Sequence, residues 1–184
     1  MNRLPCGAVV MVLAIGAAAF KADAETPPGG PVAVVEVRSV IHPRAARLAE
    51  RFGVGERLAA IIYEQSRLAD VEPALVFGVI AVESGFDPEA IGRHGERGLL
   101  QIKPSTARVY DSSVTPDMLH DPEVNLRVGL QHLKREVEYF GDSSLGLMSY
   151  HMGRARLERA MADGVPPRDP YVERVLSSCG PVCA

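Results

Sequence analysis

Residues 74–82 form an uncharged apolar run, Ala-Leu-Val-Phe-Gly-Val-Ile-Ala-Val, that ends on Glu83 and is followed at once by Ser84-Gly85-Phe86-Asp87-Pro88. A carboxyl carried at the end of such a run is not ordinary surface decoration. Desolvation disfavours its ionised form, so the acid keeps its proton near neutral pH and can donate it. The run reads as a helix. Asp70 is the expected N-cap, Glu72 and Pro73 fall in the first turn, Gly85 is the stop, and Pro88 forbids continuation. Glu83 then sits in the last turn, where the partial negative charge of the free carbonyls also favours the protonated acid. Two plainer readings stand beside this one: a Glu turned to solvent, or one paired with Arg93 or Arg97. A donatable proton on a rigid helix end is what cleavage of a glycosidic bond needs.

The 184-residue chain as a whole bounds the possibilities. There is room for one domain with a proper core and a short extra segment. A net charge of −3 with a pI near 6.0, and no basic stripe with interleaved aromatics, argues against nucleic acid as a partner. Tryptophan is absent, so any sugar cleft must lean on Tyr and polar side chains. Arg3, the apolar residues 8–20 and Ala22-Asp23-Ala24 read as a signal peptide, residues 1–24, cut after Ala24. An uncleaved membrane anchor is the alternative, disfavoured by the shortness of the apolar stretch. Cys6 lies before that stretch, the wrong place for a lipid-attachment cysteine. The mature chain is expected in the periplasm. There Cys179 and Cys183, in Cys-Gly-Pro-Val-Cys, are expected to close a small disulfide ring, free thiols being the alternative.

Residues 25–45 read as a proline- and glycine-rich linker, residues 46–178 as the catalytic domain and residues 179–184 as a tail. Helical signals begin near His42. Leu58, Ile61 and Ile62 share one helix face opposite Arg57, Glu64 and Arg67. Pro104 opens a helix to about Tyr110, and Asp121-Pro122 has the cap-then-proline signature of a long one. On it Leu126, Leu130, Leu133, Val137 and Phe140 form an amphipathic stripe. Gly129 interrupts that stripe at a cost of ~1 kcal/mol relative to alanine, which suggests that something packs close to it. Leu145, Met148, Met152 and Ala155 mark a further helix, with the methionines read as core, and a last one runs from about Tyr171 to Ser177. The fold class is mainly α, with at most a small β-hairpin within residues 90–101.

Several blocks carry a resemblance. Glu83-Ser84-Gly85-Phe86-Asp87-Pro88-Glu89-Ala90 and Gly98-Leu99-Leu100-Gln101-Ile102-Lys103-Pro104-Ser105-Thr106-Ala107 resemble the catalytic domain of soluble-type lytic transglycosylases. So do Asp121-Pro122-Glu123-Val124-Asn125-Leu126-Arg127-Val128-Gly129, Ser149-Tyr150-His151-Met152-Gly153 and Tyr171-Val172-Glu173-Arg174-Val175. They fall in order over residues 55–177. The resemblance implies a lysozyme-like fold related to goose-type lysozyme. It also implies cleavage of the β-1,4 bond between N-acetylmuramic acid and N-acetylglucosamine in peptidoglycan, with a 1,6-anhydro product. It makes Glu83 the acid and then the base, with the substrate's acetamido group assisting. No cofactor and no metal are implied, and the histidines show no metal-ligand pairing.

The resemblance further assigns Ser84, Leu100, Gln101, Tyr150, His151 and Tyr171 to substrate binding. Gln101 offers both donors and acceptors to sugar groups. The bland alternatives are a tight turn before buried leucines at residues 98–101, a core tyrosine at 150 and a structural hydroxyl at Ser84. Asp87 and Glu89 are more simply part of the turn that ends the helix than catalytic partners. The sequence departs from the family where His151 replaces an asparagine, Gly92 a serine, Glu96 an alanine and Lys103 a methionine, which touches the subsites rather than the reaction. A monomer acting locally, within a cell-envelope or secretion assembly, is the expected setting. The rivals are a hydrolytic muramidase and a non-catalytic peptidoglycan-binding component.

Overall fold

Proline sets where helices begin. Pro43, Pro73, Pro104, Pro122 and Pro170 each occupy the first turn of a helix, where the missing N–H has no acceptor to lose. In most of these the preceding side chain caps the next free N–H: His42 for Arg44, Glu72 for Ala74, Asp121 for Glu123 and Asp169 for Tyr171. In the computed structural model, which describes residues 41–164 and 168–180, the order is α1 (Pro43–Phe52), α2 (Glu56–Leu68), α3 (Pro73–Glu83), α4 (Pro104–Tyr110), α5 (Pro122–Phe140), α6 (Ser143–Met152), α7 (Arg154–Ala162) and α8 (Pro170–Cys179). A single 3-10 turn, Asp117–His120, precedes α5. All described residues belong to one compact unit, Ser39–Ala184.

The chain between α3 and α4 makes two isolated antiparallel bridges, Ile91 to Arg97 and Arg97 to Ile102, and no strand forms among the described residues. Two local expectations need correction. Glu72, not Asp70, caps α3. Pro73 fixes the first helical position, which leaves Asp70 in the preceding turn with a left-handed φ of 55°. The helix carrying Leu145 and Met148 stops at Gly153, whose φ of 88° breaks the path, so Ala155 belongs to α7. The expected leader, residues 1–24, most of the linker and Cys183 lie outside the described residues. Cys179 is disulfide-bonded and fully buried.

Helix α3 is the centre of the molecule. Every residue from Pro73 to Ile80 is buried, and α1, α2 and α8 pack around it. Each Val, Leu, Ile or Phe so enclosed contributes roughly 1.5–3 kcal/mol. Helix α8 approaches closely because Gly78 has no side chain; a Cβ there would lie 2.9 Å from the Val175 carbonyl oxygen. A second layer is built on α5, which packs against α2, α4 and α6. Leu126, Leu130 and Leu133 are buried on it as its stripe predicts. Gly129 has the close neighbour its place in mid-helix suggests: a Cβ would meet Leu100 Cδ1 at 2.6 Å.

One buried side chain ties this layer to the loop before α4. Asn125 Oδ1 accepts from Leu100 N at 2.9 Å, while its Nδ2 donates to the carbonyls of Arg97 and Leu119, both at 2.8 Å. These are backbone groups with no water to turn to. Asn125→Ala strands all three. It is expected to lower unfolding free energy by about 2–4 kcal/mol, read by urea denaturation.

Candidate active site

The end of α3 leaves the core and enters a cleft. Ala81, Val82, Glu83 and Ser84 are half-buried, unlike the fully enclosed residues before them. The cleft has a volume of about 650 Å³, and Glu83 lines it together with Gln101, Tyr150 and His151. That size matches a small-molecule or oligosaccharide subsite. Its remaining walls include Arg93, Glu96, Lys103, His132, Met152 and Arg156.

Burial pushes the Glu83 carboxyl above its ordinary range. Attraction from Tyr171, His151 and Arg174 pulls part of the way back, and repulsion from Glu96 adds to the rise. Glu83 makes no ion pair among the described residues; Arg97 instead bonds His120 through Nη1 at 3.0 Å. The other buried carboxylates behave differently. Burial also acts on Glu136, but Arg154 grips it through Nε at 3.0 Å and Nη2 at 2.7 Å, Ser149 donates to it, and it is held ionised. Burial acts on Glu96 too, and is outweighed by the backbone N–H groups of Glu96 and His94 and by Lys103, 3.4 Å away. A desolvated acid with no ion-pair partner is the group able to hold and release a proton.

Tyrosines and the loop surround it. Tyr150 donates its hydroxyl to Leu100 O at 2.6 Å. Tyr171 is buried beneath the cleft; its hydroxyl has no hydrogen-bond partner among the described residues, yet stands near enough to Glu83 to attract its anion. Burial and the Glu83 carboxyl push both phenols well above their ordinary value, so both remain protonated. Gln101 has a left-handed φ of 44° and spends its amide hydrogens on the loop: Nε2 donates to Ala90 O at 3.1 Å and Gly98 O at 2.9 Å. Only its Oε1 is left for a ligand.

Three residues read from sequence as substrate contacts stand behind the cleft wall. Ser84 Oγ donates to Leu99 O at 2.8 Å, clamping the end of α3 to the loop. Leu100 is fully buried against α5, so it shapes the wall through its backbone. Tyr171 is likewise buried. Asp87 and Glu89 are exposed outside the cleft, where Asp87 Oδ1 accepts from Glu89 N as a turn residue. Met152 lines the cleft rather than the core.

Sequence reading passed over Asp169. It is buried, accepts from Tyr171 N at 2.9 Å through Oδ1, and bonds His151 Nδ1 at 2.9 Å through Oδ2. Asp169-Pro170 carries the same cap-then-proline signature as Asp121-Pro122, which would have found it. His132 was also missed. It meets the Tyr110 hydroxyl at 3.0 Å, and burial holds its ring toward the neutral form.

Comparison with known proteins places the family and the fold. The family described as Transglycosylase SLT domain matches residues 60–164. A transglycosylase of Enterobacteria phage PRD1 is 32% identical over 84 residues, covering 46% of this chain and 30% of that protein. An endo-type membrane-bound lytic murein transglycosylase A of Klebsiella pneumoniae is 38% identical over 72 residues, covering 34% of each. The chain therefore spans about a third of the length of these relatives. Among solved structures, the lytic transglycosylase Slt of Pseudomonas aeruginosa superposes with a TM-score of 0.62 at 24% identity, over 72% of this chain and 24% of that one. The 70 kDa soluble lytic transglycosylase of Escherichia coli gives 0.60 at 23%, over the same shares. Both show a shared lysozyme-like fold.

The raised affinity of Glu83 for its proton has a consequence for stability. Above pH 4.5 the folded state holds more proton at this site than the unfolded chain, so stability falls as pH rises through the interval up to the folded value, and the loss persists above it. Glu83→Gln removes that loss. The variant is expected to be more stable than the parent at about pH 8 and to converge with it at about pH 4, measured by urea midpoints.

Proposed function

We propose, from the premise that this chain belongs to the Transglycosylase SLT domain family, that it is a lytic transglycosylase that cuts the glycan strands of peptidoglycan. The observation that carries the reading is a half-buried carboxyl, Glu83, with no ion-pair partner among the described residues and a raised hold on its proton, in the wall of a cleft of about 650 Å³.

Glu83 starts neutral and gives its proton to the glycosidic oxygen as the bond from the anomeric carbon to that oxygen breaks. The sugar's acetamido oxygen supports the positive anomeric carbon. Glu83, now an anion, takes the proton of the C6 hydroxyl as that oxygen closes onto the anomeric carbon. One bond breaks, one forms, no water is consumed, and Glu83 ends as it began. The Tyr171 hydroxyl, held protonated, faces the anion as a donor, while Tyr150, also protonated but donating to Leu100 O, adds an uncharged wall. Gln101 Oε1, the edge of His151 and the side chains of Arg93, Thr106 and Arg156 are protein groups that line the cleft and can bind the sugar. The sequence signals for export put this activity in the cell envelope, on the periplasmic side of the inner membrane.

A hydrolytic reading has one observation in its favour: a second carboxylate, Glu96, lines the same cleft and is held ionised. An anion so placed can activate water. Against it, Oε1 of Glu96 faces Lys103 and its Oε2 accepts from His94 N at 2.9 Å, so the group is already engaged. Digestion of purified peptidoglycan followed by mass spectrometry separates the two. Anhydro-muramyl ends are expected, and products bearing only reducing ends would establish hydrolysis instead. Glu83→Gln is expected to lower the rate at least ~100-fold with the fold intact; an undiminished rate would remove Glu83 from the chemistry.

A further inference from the structure

The cleft does not end at its own wall. A second hollow of about 250 Å³ lies beside it, and the two meet at Thr106 and His132, which line both. The ridge between them is held in place. His132 Nδ1 is 3.0 Å from the Tyr110 hydroxyl, and its ring rests on that of Tyr150 with centroids 5.2 Å apart. Beyond the ridge α4 supplies Ser105 and Tyr110, α5 supplies Arg135 and Glu136, and α7 supplies Arg154. This annex takes no part in the chemistry assigned to Glu83, which opens into the larger cleft.

The charges along the groove so formed do not cancel. Its acids other than Glu83 are already spent. Glu96 faces Lys103 at 3.4 Å, and Glu136, only 4% exposed, is gripped by Arg154 at 2.7 and 3.0 Å. Lys103 and Arg154 are used up in the same pairs. The guanidiniums of Arg93 and Arg156 in the cleft and of Arg135 in the annex remain, and none of them has a hydrogen-bond or ion-pair partner among the described residues. The whole chain carries a net charge of −3, so this positive excess belongs to the groove. An unspent guanidinium in a hollow is a place for an anion, and a carboxylate matches its paired N–H groups.

A glycan strand of peptidoglycan offers carboxylates in two places. A muramyl ring stripped of its peptide carries one on its lactyl arm, close to the ring and so within the cleft that holds the ring. When the peptide stem is attached, that carboxyl is consumed as an amide, and the acidic groups lie several bonds farther out. Those are the groups that project from a sugar beside Glu83 across the ridge of Thr106 and His132. A neutral N-acetylglucosamine ring would give Arg135 nothing to pair with. Building on the glycan-cutting function proposed above, on which this depends, we propose that the annex is a receptor for the peptide stem of the strand. Arg135 pairs a stem carboxylate, the Ser105 and Thr106 hydroxyls line the path of the stem, and the chain thereby selects strands whose stems are still attached.

The test is equilibrium binding of soluble muramyl-glucosaminyl oligomers to the full chain carrying Glu83→Gln, which is expected to leave them uncut. Two oligomers of equal length are compared, one with tetrapeptide stems and one stripped by an amidase. The stem-bearing oligomer is expected to bind about three- to tenfold more tightly, the range of one partly exposed charged pair. Adding Arg135→Gln is expected to bring the two affinities together. Arg135→Lys is expected to keep part of the preference, because the charge stays while the paired N–H geometry goes. Arg135 is exposed and unpaired, so neither change threatens the fold. Raising salt to ~0.5 M is expected to shrink the preference. Equal affinities without the Arg135 change overturn the proposal, and so does a preference untouched by Arg135→Gln. An equal loss on both oligomers overturns it too, since a sugar ring rather than a stem would then fill the annex. With Glu83 restored, cutting of both oligomers at equal kcat/KM removes the stem site and leaves the proposed activity standing. A chain that neither binds nor cuts either oligomer removes the activity, and the stem site with it.

Discussion

Enclosure of α3 on every side holds the carboxyl at its end in place. An uncharged helix buried from Pro73 to Ile80 has no freedom to roll or slide without exposing apolar surface. Its last turn emerges into the cleft, so Glu83 inherits the rigidity of the core and the access of a surface group. Helix α8 contributes from the other side. It approaches over Gly78 and brings Tyr171 beneath the acid and Asp169 beneath the imidazole. A single packing contact, α3 on α8, therefore sets both the position and the surroundings of the acid.

The second support is polar. The loop between α3 and α4 has no strand to hold it, and instead side chains satisfy its backbone: Asn125 from α5, Gln101 and Ser84 from the loop and its edge, and Tyr150 from α6. Buried amides of a loop must find partners within the protein. Several residues that look like sugar ligands by type are spent in this way. The cleft that remains is rich in charge, with Arg93, Lys103 and Arg156 on its rim and Glu96 among them.

Four carboxyls in or near this region are removed from water to some degree, and they divide by their partners rather than by their depth. Glu136 has an arginine, Glu96 a lysine and Asp169 a histidine, and each is held ionised. Glu83 has phenols, one imidazole at a distance and a repelling neighbour, and it alone of the four is raised. The same burial thus leaves three carboxyls ionised and one inclined to keep its proton.

The sequence alone marked most helix starts and singled out Glu83 as the candidate acid. Prolines 73, 104 and 122, the Asp121 cap and the leucine stripe of α5 are signals carried within a few residues, because helix starts and amphipathic faces are short-range properties. Glu83 stood out for the same reason: its uncharged run is contiguous. Only the tertiary structure decided what each polar side chain does. Whether Ser84, Gln101 or Tyr150 meets a sugar or a backbone carbonyl depends on groups 15, 11 and 50 residues away. The Asp169–His151 contact spans 18 residues and exists because α6 and α8 pack together. Hydrogen bonds are set by angstrom-scale distances between elements far apart in the chain, and no local pattern encodes those distances.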